Sequence, residues 1–226
     1  MRRVVYLFLF FSFPFILACD EEFEPVSQDL DFGFQPLKLG NYWIYEVEET
    51  IHFGENDFET TDFFYRDRIR GTYLNDAREL VYIVERSKST NRQTWVKQLD
   101  FTLQIKNNSL LRTADNRTIV VLVFPPSLGL KWNGLAFQAL GKDEFEIESV
   151  NSSSSGLIDI VRVNQQDLDD KVTIRDVRFE VFQKEVGLIE KYDEVISYCS
   201  RNNCLGQQLI DGGSKVWMKL IEYEIR

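Results

Sequence analysis

The chemistry open to this chain is narrow. Its 226 residues include three cysteines, one histidine and two methionines, so few thiol or imidazole sites can be built. Nucleophilic catalysis needs a base beside a serine, threonine or cysteine, and the chain has no Gly-x-Ser-x-Gly. His52 stands in Thr50-Ile51-His52-Phe53-Gly54, a run of strand-edge character without a partner motif, and reads as an ordinary edge histidine. Zinc lacks ligands, and no glycine-rich phosphate loop occurs. Carboxylates are abundant, with 36 Asp and Glu. A two-acid glycosidase would need a pair about 5–10 Å apart across a sugar cleft, and no pair stands out. Asp167-Leu168-Asp169-Asp170 lacks the mid-loop glycine and terminal glutamate of an EF-hand and reads as an acidic hairpin loop. The expectation is a non-enzyme with no catalytic residue, no metal ligand and no cofactor.

Cys199 and Cys204 flank Ser200-Arg201-Asn202-Asn203, a polar stretch of turn character between strand-like runs. In an oxidising compartment a disulfide across that loop is expected, free thiols being the alternative. So short a loop gains roughly 2 kcal/mol from the cross-link, enough to shape the loop rather than to hold the fold. A Cys-x4-Cys metal half-site would need partners that the chain does not offer.

The third cysteine, Cys19, ends an N-terminal segment of a different kind. Arg2 and Arg3 precede an apolar run from Val4 to Ala18, interrupted only by Ser12 and Pro14. A charged start, a short apolar stretch and a small residue before the cut are the parts of a secretory signal. Fifteen helical residues span roughly 22 Å, short of the ~30 Å hydrocarbon core. Ile16-Leu17-Ala18-Cys19 resembles a bacterial lipobox, with Leu at −2 and Ile at −3 where leucine is usual. The resemblance implies cleavage after residue 18 and a diacylglyceryl thioether on Cys19. The alternative is a conventional signal peptide with an incidental cysteine. Cleavage would leave 24 basic residues against 36 acidic ones, a formal charge of −12 in place of −10. Such acidity excludes an electrostatic nucleic-acid footprint and disfavours docking on anionic headgroups. Asp20, Glu21, Glu22 and Glu24 resemble the surface-export signal of Bacteroidetes-type lipoproteins; under enterobacterial sorting Asp20 would instead imply retention at the inner membrane, and the plain alternative is a solvated spacer.

Three segments follow: a signal peptide over 1–18, an acidic tether over 19–36 and one all-β domain over 37–226. With 44% hydrophobic and 14% aromatic residues, the last can bury a sizeable core. Runs rich in β-branched and aromatic residues cover 42–51, 58–72, 79–88, 94–105, 109–113, 118–124, 145–150, 157–163, 172–182, 188–198 and 215–225. Asn107-Asn108, Asp115-Asn116 and Asp211-Gly212-Gly213 read as turns between them. This spacing predicts a curved antiparallel sheet, a half-barrel or open barrel meander with at most one or two short helices, one of them around 135–140. Phe145, Ile147 and Ser149 alternate with Glu144, Glu146 and Glu148 as a dry and a wet face. Thr118–Phe124 is continuously apolar and reads as covered on both faces, and Pro125-Pro126 ends it. Ser152–Ser155 reads as a flexible loop. Gly40-Asn41-Tyr42-Trp43 and Gly129-Leu130-Lys131-Trp132 form a faint echo: glycine for a turn, then tryptophan packed under the sheet.

The stretch from Pro36 to Glu46, together with Lys184-Glu185-Val186-Gly187-Leu188-Ile189 and a terminal strand over Trp217–Tyr223, is similar to envelope lipoproteins of Bacteroidetes type. The resemblance implies a curved antiparallel sheet akin to the LolA-like half-barrels that carry lipid or lipoprotein. It implies a fold more than an activity. The reading that follows is a lipoprotein anchored in the outer membrane, facing the periplasm or the cell surface. It would act as a non-catalytic binding or assembly module for another envelope component. The second reading is a carrier holding an acyl chain or other hydrophobic ligand on the concave face. A closed, filled core favours the first, and an open apolar trough of several hundred Å³ favours the second. Most of the strand aromatics are expected in the core, with some at a rim for glycan stacking or a protein partner.

Overall fold

The computed structural model describes residues 32–139, 141–152 and 158–226. The expected signal peptide, Cys19, most of the acidic tether and most of the Ser152–Ser155 loop lie outside the described residues. After a 3-10 turn at Phe32–Phe34 come twelve strands: β1 Tyr42–Gly54, β2 Asp57–Leu74, β3 Leu80–Ser89, β4 Val96–Lys106, β5 Ser109–Ala114, β6 Arg117–Val123, β7 Lys131–Asn133, β8 Glu144–Ser152, β9 Ile158–Asp169, β10 Ile174–Gln183, β11 Gly187–Tyr198 and β12 Ile210–Glu224. They form one antiparallel sheet in the order β6-β5-β4-β3-β2-β1-β12-β11-β10-β9-β8-β7. Each half of the chain is a meander, and the two meanders are joined where the first and last strands pair.

The sheet curls further than a half-barrel. Its two edges, β6 and β7, approach each other, and the Val120 amide donates to the Gly134 carbonyl at 2.9 Å. Twist accumulated over twelve strands brings the edges together. The all-β prediction holds, and most strands cover the runs rich in β-branched and aromatic residues. Asn107, Asn108, Asp115 and Asn116 all have positive φ, as two-residue hairpin turns matching the strand twist require. The Gly-x-x-Trp echo also holds. Gly40 and Gly129 take φ of 92° and 78°, and each tryptophan then donates its indole N–H to a distant carbonyl: Trp43 to Val186 at 2.6 Å, Trp132 to Val120 at 2.8 Å.

Several expectations need correction. Residues 32–36 belong to the domain rather than to a tether, because Phe34 is fully buried and Gln35 nearly so. An aromatic pair in an otherwise acidic segment was the visible sign, and the core absorbs it. Residues 134–139 form turns and not a helix, since Asn133 accepts from the Leu135 and Asp143 amides and folds the chain back. Asp211-Gly212-Gly213 lies inside β12. There Gly213, at φ 122°, passes so close to β11 that a Cβ would sit 2.3 Å from the Val195 carbonyl oxygen. The strand of alternating glutamates keeps Phe145 and Ile147 inward, but a bulge between Ile147 and Ser149 exposes Ser149. β9 runs on to Asp169, so only Asp170 of the acidic tetrad stands in the hairpin turn.

Candidate functional site

The side chains that could act on another molecule lie inside the barrel and at its mouth. At the end where β1 begins, Phe34 caps the interior among Trp43, Tyr45, Ile69, Val84, Leu110, Leu122 and Phe182, all at least nine-tenths buried. Alternation along each strand places these residues inward. The Tyr45 hydroxyl donates to the Leu188 carbonyl at 3.1 Å.

Among these apolar side chains the walls also carry buried charge. On neighbouring strands β2 and β3, Asp67 and Arg86 form a two-pronged ion pair at 2.7 and 2.6 Å. The Arg86 guanidinium also lies 4.7 Å from the centre of the Tyr65 ring. Burial opposes the Arg86 charge, but Asp67 more than offsets this and holds its pKa above the ordinary value. Burial, reinforced by the Asp67 charge, pushes the Tyr45 phenol well above its usual range. A second cluster crosses the interior. Glu180 of β10, with no exposed surface, pairs with Arg112 of β5 and with Lys191 of β11, the latter at 3.3 Å. Desolvation alone would raise the Glu180 pKa, yet the two cations outweigh it and hold the carboxyl down to about 2. The Glu180 Oε2 atom has no partner among the described residues. Between these clusters the interior leaves a cavity of about 30 Å³, space for one or two water molecules.

At the far mouth, next to the β6/β7 edge, a larger pocket of about 350 Å³ opens between β5–β6 and β8–β10. Ile119, Leu135 and Phe145 form its apolar wall, and Arg112, Arg117, Arg178, Asp115, Asp143 and Gln165 its polar one. Arg178 is bound to Asp176 at 2.6 Å and to Asp143 at 3.3 Å. Gln165 is 5% exposed, and its Nε2 atom has no hydrogen-bond partner among the described residues. Leaving such a donor unpaired costs about 1–3 kcal/mol.

The residues singled out from sequence lie elsewhere. His52 is half-buried on β1 beside the β1/β2 hairpin, with its ring 5.8 Å from that of Phe58. Cys199 and Cys204 are joined in a disulfide, both sulfurs' residues buried under the loop between β11 and β12. Asp170 accepts from the amides of Val172, Thr173 and Ile174 and so shapes its own turn, while Asp169 accepts from the Tyr198 hydroxyl. Among the described residues no group of His, Cys, Asp and Glu side chains could hold a metal ion. Aromatics divide between core and surface: Trp43, Tyr45 and Phe63 are inside, whereas Phe179, Tyr192 and Trp217 form an outer-face row across β10, β11 and β12. Arg162 and Lys219 lie 3.5 and 3.4 Å from the centres of the end rings. Asp67, Glu180 and Gln165 were not anticipated. Their one sequence signal is parity, each being spaced by two from an inward apolar residue: Ile69, Phe182 and Val163.

The geometry thus defines a twelve-stranded, nearly closed antiparallel barrel, capped with apolar side chains at one end and polar at the other. No protein-family model matches the chain, and no curated protein does. Solved structures similar to it include a protein described as exported, with a YmcC-like fold, from Bacteroides fragilis NCTC 9343. That match has 8% identity and a TM-score of 0.39, covering 85% of this chain and 99% of the other. A protein described as a lipoprotein, from Parabacteroides distasonis ATCC 8503, matches at 10% identity and a TM-score of 0.37, covering 84% and 98%. Likeness this distant leaves both fold and function to be argued from the chain's own residues.

Proposed function

We propose that this chain is a membrane-anchored envelope lipoprotein, held through Cys19 in the outer membrane, that acts as a non-catalytic binding or assembly module. The filled interior is the observation that carries the second half of this reading. A carrier of acyl chains needs an apolar volume of several hundred Å³. Here Phe34 and its neighbours occupy that space, leaving about 30 Å³ walled partly by Asp67, Arg86 and Arg112. An acyl chain entering there would strip water from these charges without replacing their partners. The first half rests on Arg2, Arg3, the apolar run to Ala18 and the cysteine that follows.

Two measurements test the two halves separately. Metabolic labelling with palmitate should mark the wild type and not Cys19→Ser; label retained in the variant would remove the anchor. Native mass spectrometry of the purified protein, followed by lipid extraction, should find no stoichiometric acyl adduct beyond the anchor itself. Such an adduct would restore the carrier reading.

A further inference from the structure

We propose that the pocket at the polar mouth binds a small hydroxylated carboxylate, an acidic monosaccharide in size and functional groups. The inference deepens the binding-module reading and rests on it only for the ligand leaving unchanged. The pocket holds about 350 Å³, within the range of small-molecule sites. Its chemistry is mixed in a particular way. Arg117 has no ion pair among the described residues, and Arg112 directs one guanidinium nitrogen at Glu180, leaving other donors unassigned. Gln165 brings an amide that is nine-tenths buried and unpartnered at Nε2. The same lining carries two acceptors, Asp115 and Asp143, and the apolar side chains of Ile119 and Leu135.

Each simpler ligand leaves part of this wall uncompensated. An apolar guest would cover Arg117 and Gln165 without pairing them. A neutral sugar would use the acceptors but give Arg117 no counter-charge. A doubly charged phosphate would meet about twice the repulsion from Asp115 and Asp143 that a single carboxylate does. A single carboxylate suits the planar, two-pronged geometry of an arginine. Hydroxyls can donate to Asp115 and Asp143 and also exchange hydrogen bonds with the Gln165 amide in either orientation. The pyranose C–H face then has the partly exposed side chains of Ile119 and Leu135 to rest on.

Isothermal titration of the purified protein with D-glucuronate tests the proposal, with D-glucose and octanoate as controls. Saturable binding is expected for glucuronate, weakened about tenfold or more by Arg117→Gln, as loss of one charge-assisted pair implies. Gln165→Leu should weaken it too while leaving the melting temperature equal or higher, because the unpaired buried amide is gone; a purely structural glutamine would show the reverse pattern. Absence of glucuronate binding overturns the proposal, as does binding unaffected by both variants. Glucose binding as tightly as glucuronate removes the carboxylate from the class, and octanoate doing so removes the hydroxyls. Ligand recovered unchanged by NMR supports both readings. Ligand bound but converted would keep the site and defeat the non-catalytic module, whereas palmitate labelling bears on the anchor alone.

Discussion

The barrel has two seams, and they are built differently. Where β1 meets β12, pairing runs without a gap from Tyr42 opposite Glu224 to His52 opposite Gly213, with one bulge between Ile44 and Tyr45. Where β6 meets β7, closure relies on the Val120 amide reaching Gly134, the Trp132 indole reaching the Val120 carbonyl, and the Gln138 side-chain amide reaching the Thr118 carbonyl at 3.2 Å. The first seam is a ladder joining the first and last strands, and the second is a set of side-chain latches between strands adjacent in sequence. An unpaired edge invites another chain to add a strand. Here indole and amide groups satisfy the β6 carbonyls instead. The ion pair between Arg112 of β5 and Glu180 of β10 then ties the two halves together across the interior, close to the weaker seam. The polar mouth pocket opens beside that seam, where the wall is least constrained by backbone hydrogen bonds.

The contrast is sharpest at its two tryptophans. Trp43 is 2% exposed, sits on the ladder seam and donates to Val186. Trp43→Ala is expected to cost about 3–5 kcal/mol, since it opens a cavity and strands a buried carbonyl. Urea denaturation should register a lower midpoint with an unchanged slope. A cost no larger than that of Trp132→Ala would refute the ranking of the two seams.

Next in size is the strut. Glu180→Gln keeps the volume but leaves Arg112 and Lys191 facing each other without a buried counter-charge. Both cations retain some contact with water, 19% and 22% of their side-chain surface. The cost is therefore about 2 kcal/mol rather than the 3–5 of a fully buried broken pair. Its pH dependence carries a definite sign. The folded-state pKa of Glu180, about 2, lies below the ordinary 4.5, so the native state binds the proton less readily than the unfolded chain does. Its stabilisation is complete above pH 4.5 and is lost as the pH falls toward 2. The stability difference between wild type and Glu180→Gln should therefore shrink across that window. A difference independent of pH would show that the carboxylate charge does not carry the strut.

Local pattern in the sequence accounts for the strands and for the hairpins at Asn107-Asn108 and Asp115-Asn116, because both follow from residues that are neighbours in the chain. β7 escaped because three residues, Lys131–Asn133, are too few for any period to register. Alternation puts Ser149 on the wrong face because a bulge shifts parity by one, and nothing in Glu148-Ser149-Val150 announces it. Closure of the barrel was invisible for a different reason. It depends on Val120 meeting Gly134 across a reversal of direction, and the loop between them has no pattern that fixes where it returns. The charged interior lay partly in view: Asp67 and Glu180 keep step with Ile69 and Phe182. Parity can place a carboxylate inside, but it cannot say that Arg112, from the opposite half of the chain, will meet it. Gln165 is the least visible of the three in sequence. Its significance lies in a missing partner, and that is a property of the assembled walls alone.

The smallest effect tests the latch itself. Trp132→Phe preserves an aromatic ring beside Phe145, whose centre lies 6.1 Å from that of the indole, and removes the N–H that serves Val120 together with one ring of a part-exposed indole. The net loss should be about 1 kcal/mol, or roughly 2–4 °C in melting temperature. Its distribution matters more than its size. A latch that holds one edge should release that edge first, so amide exchange at Val120 should accelerate by about fivefold while amides of β1 and β12 keep their protection. Uniform acceleration over the whole barrel would mean that the two seams open together. The ladder and the latch would then be a single cooperative unit, with no local opening beside the mouth.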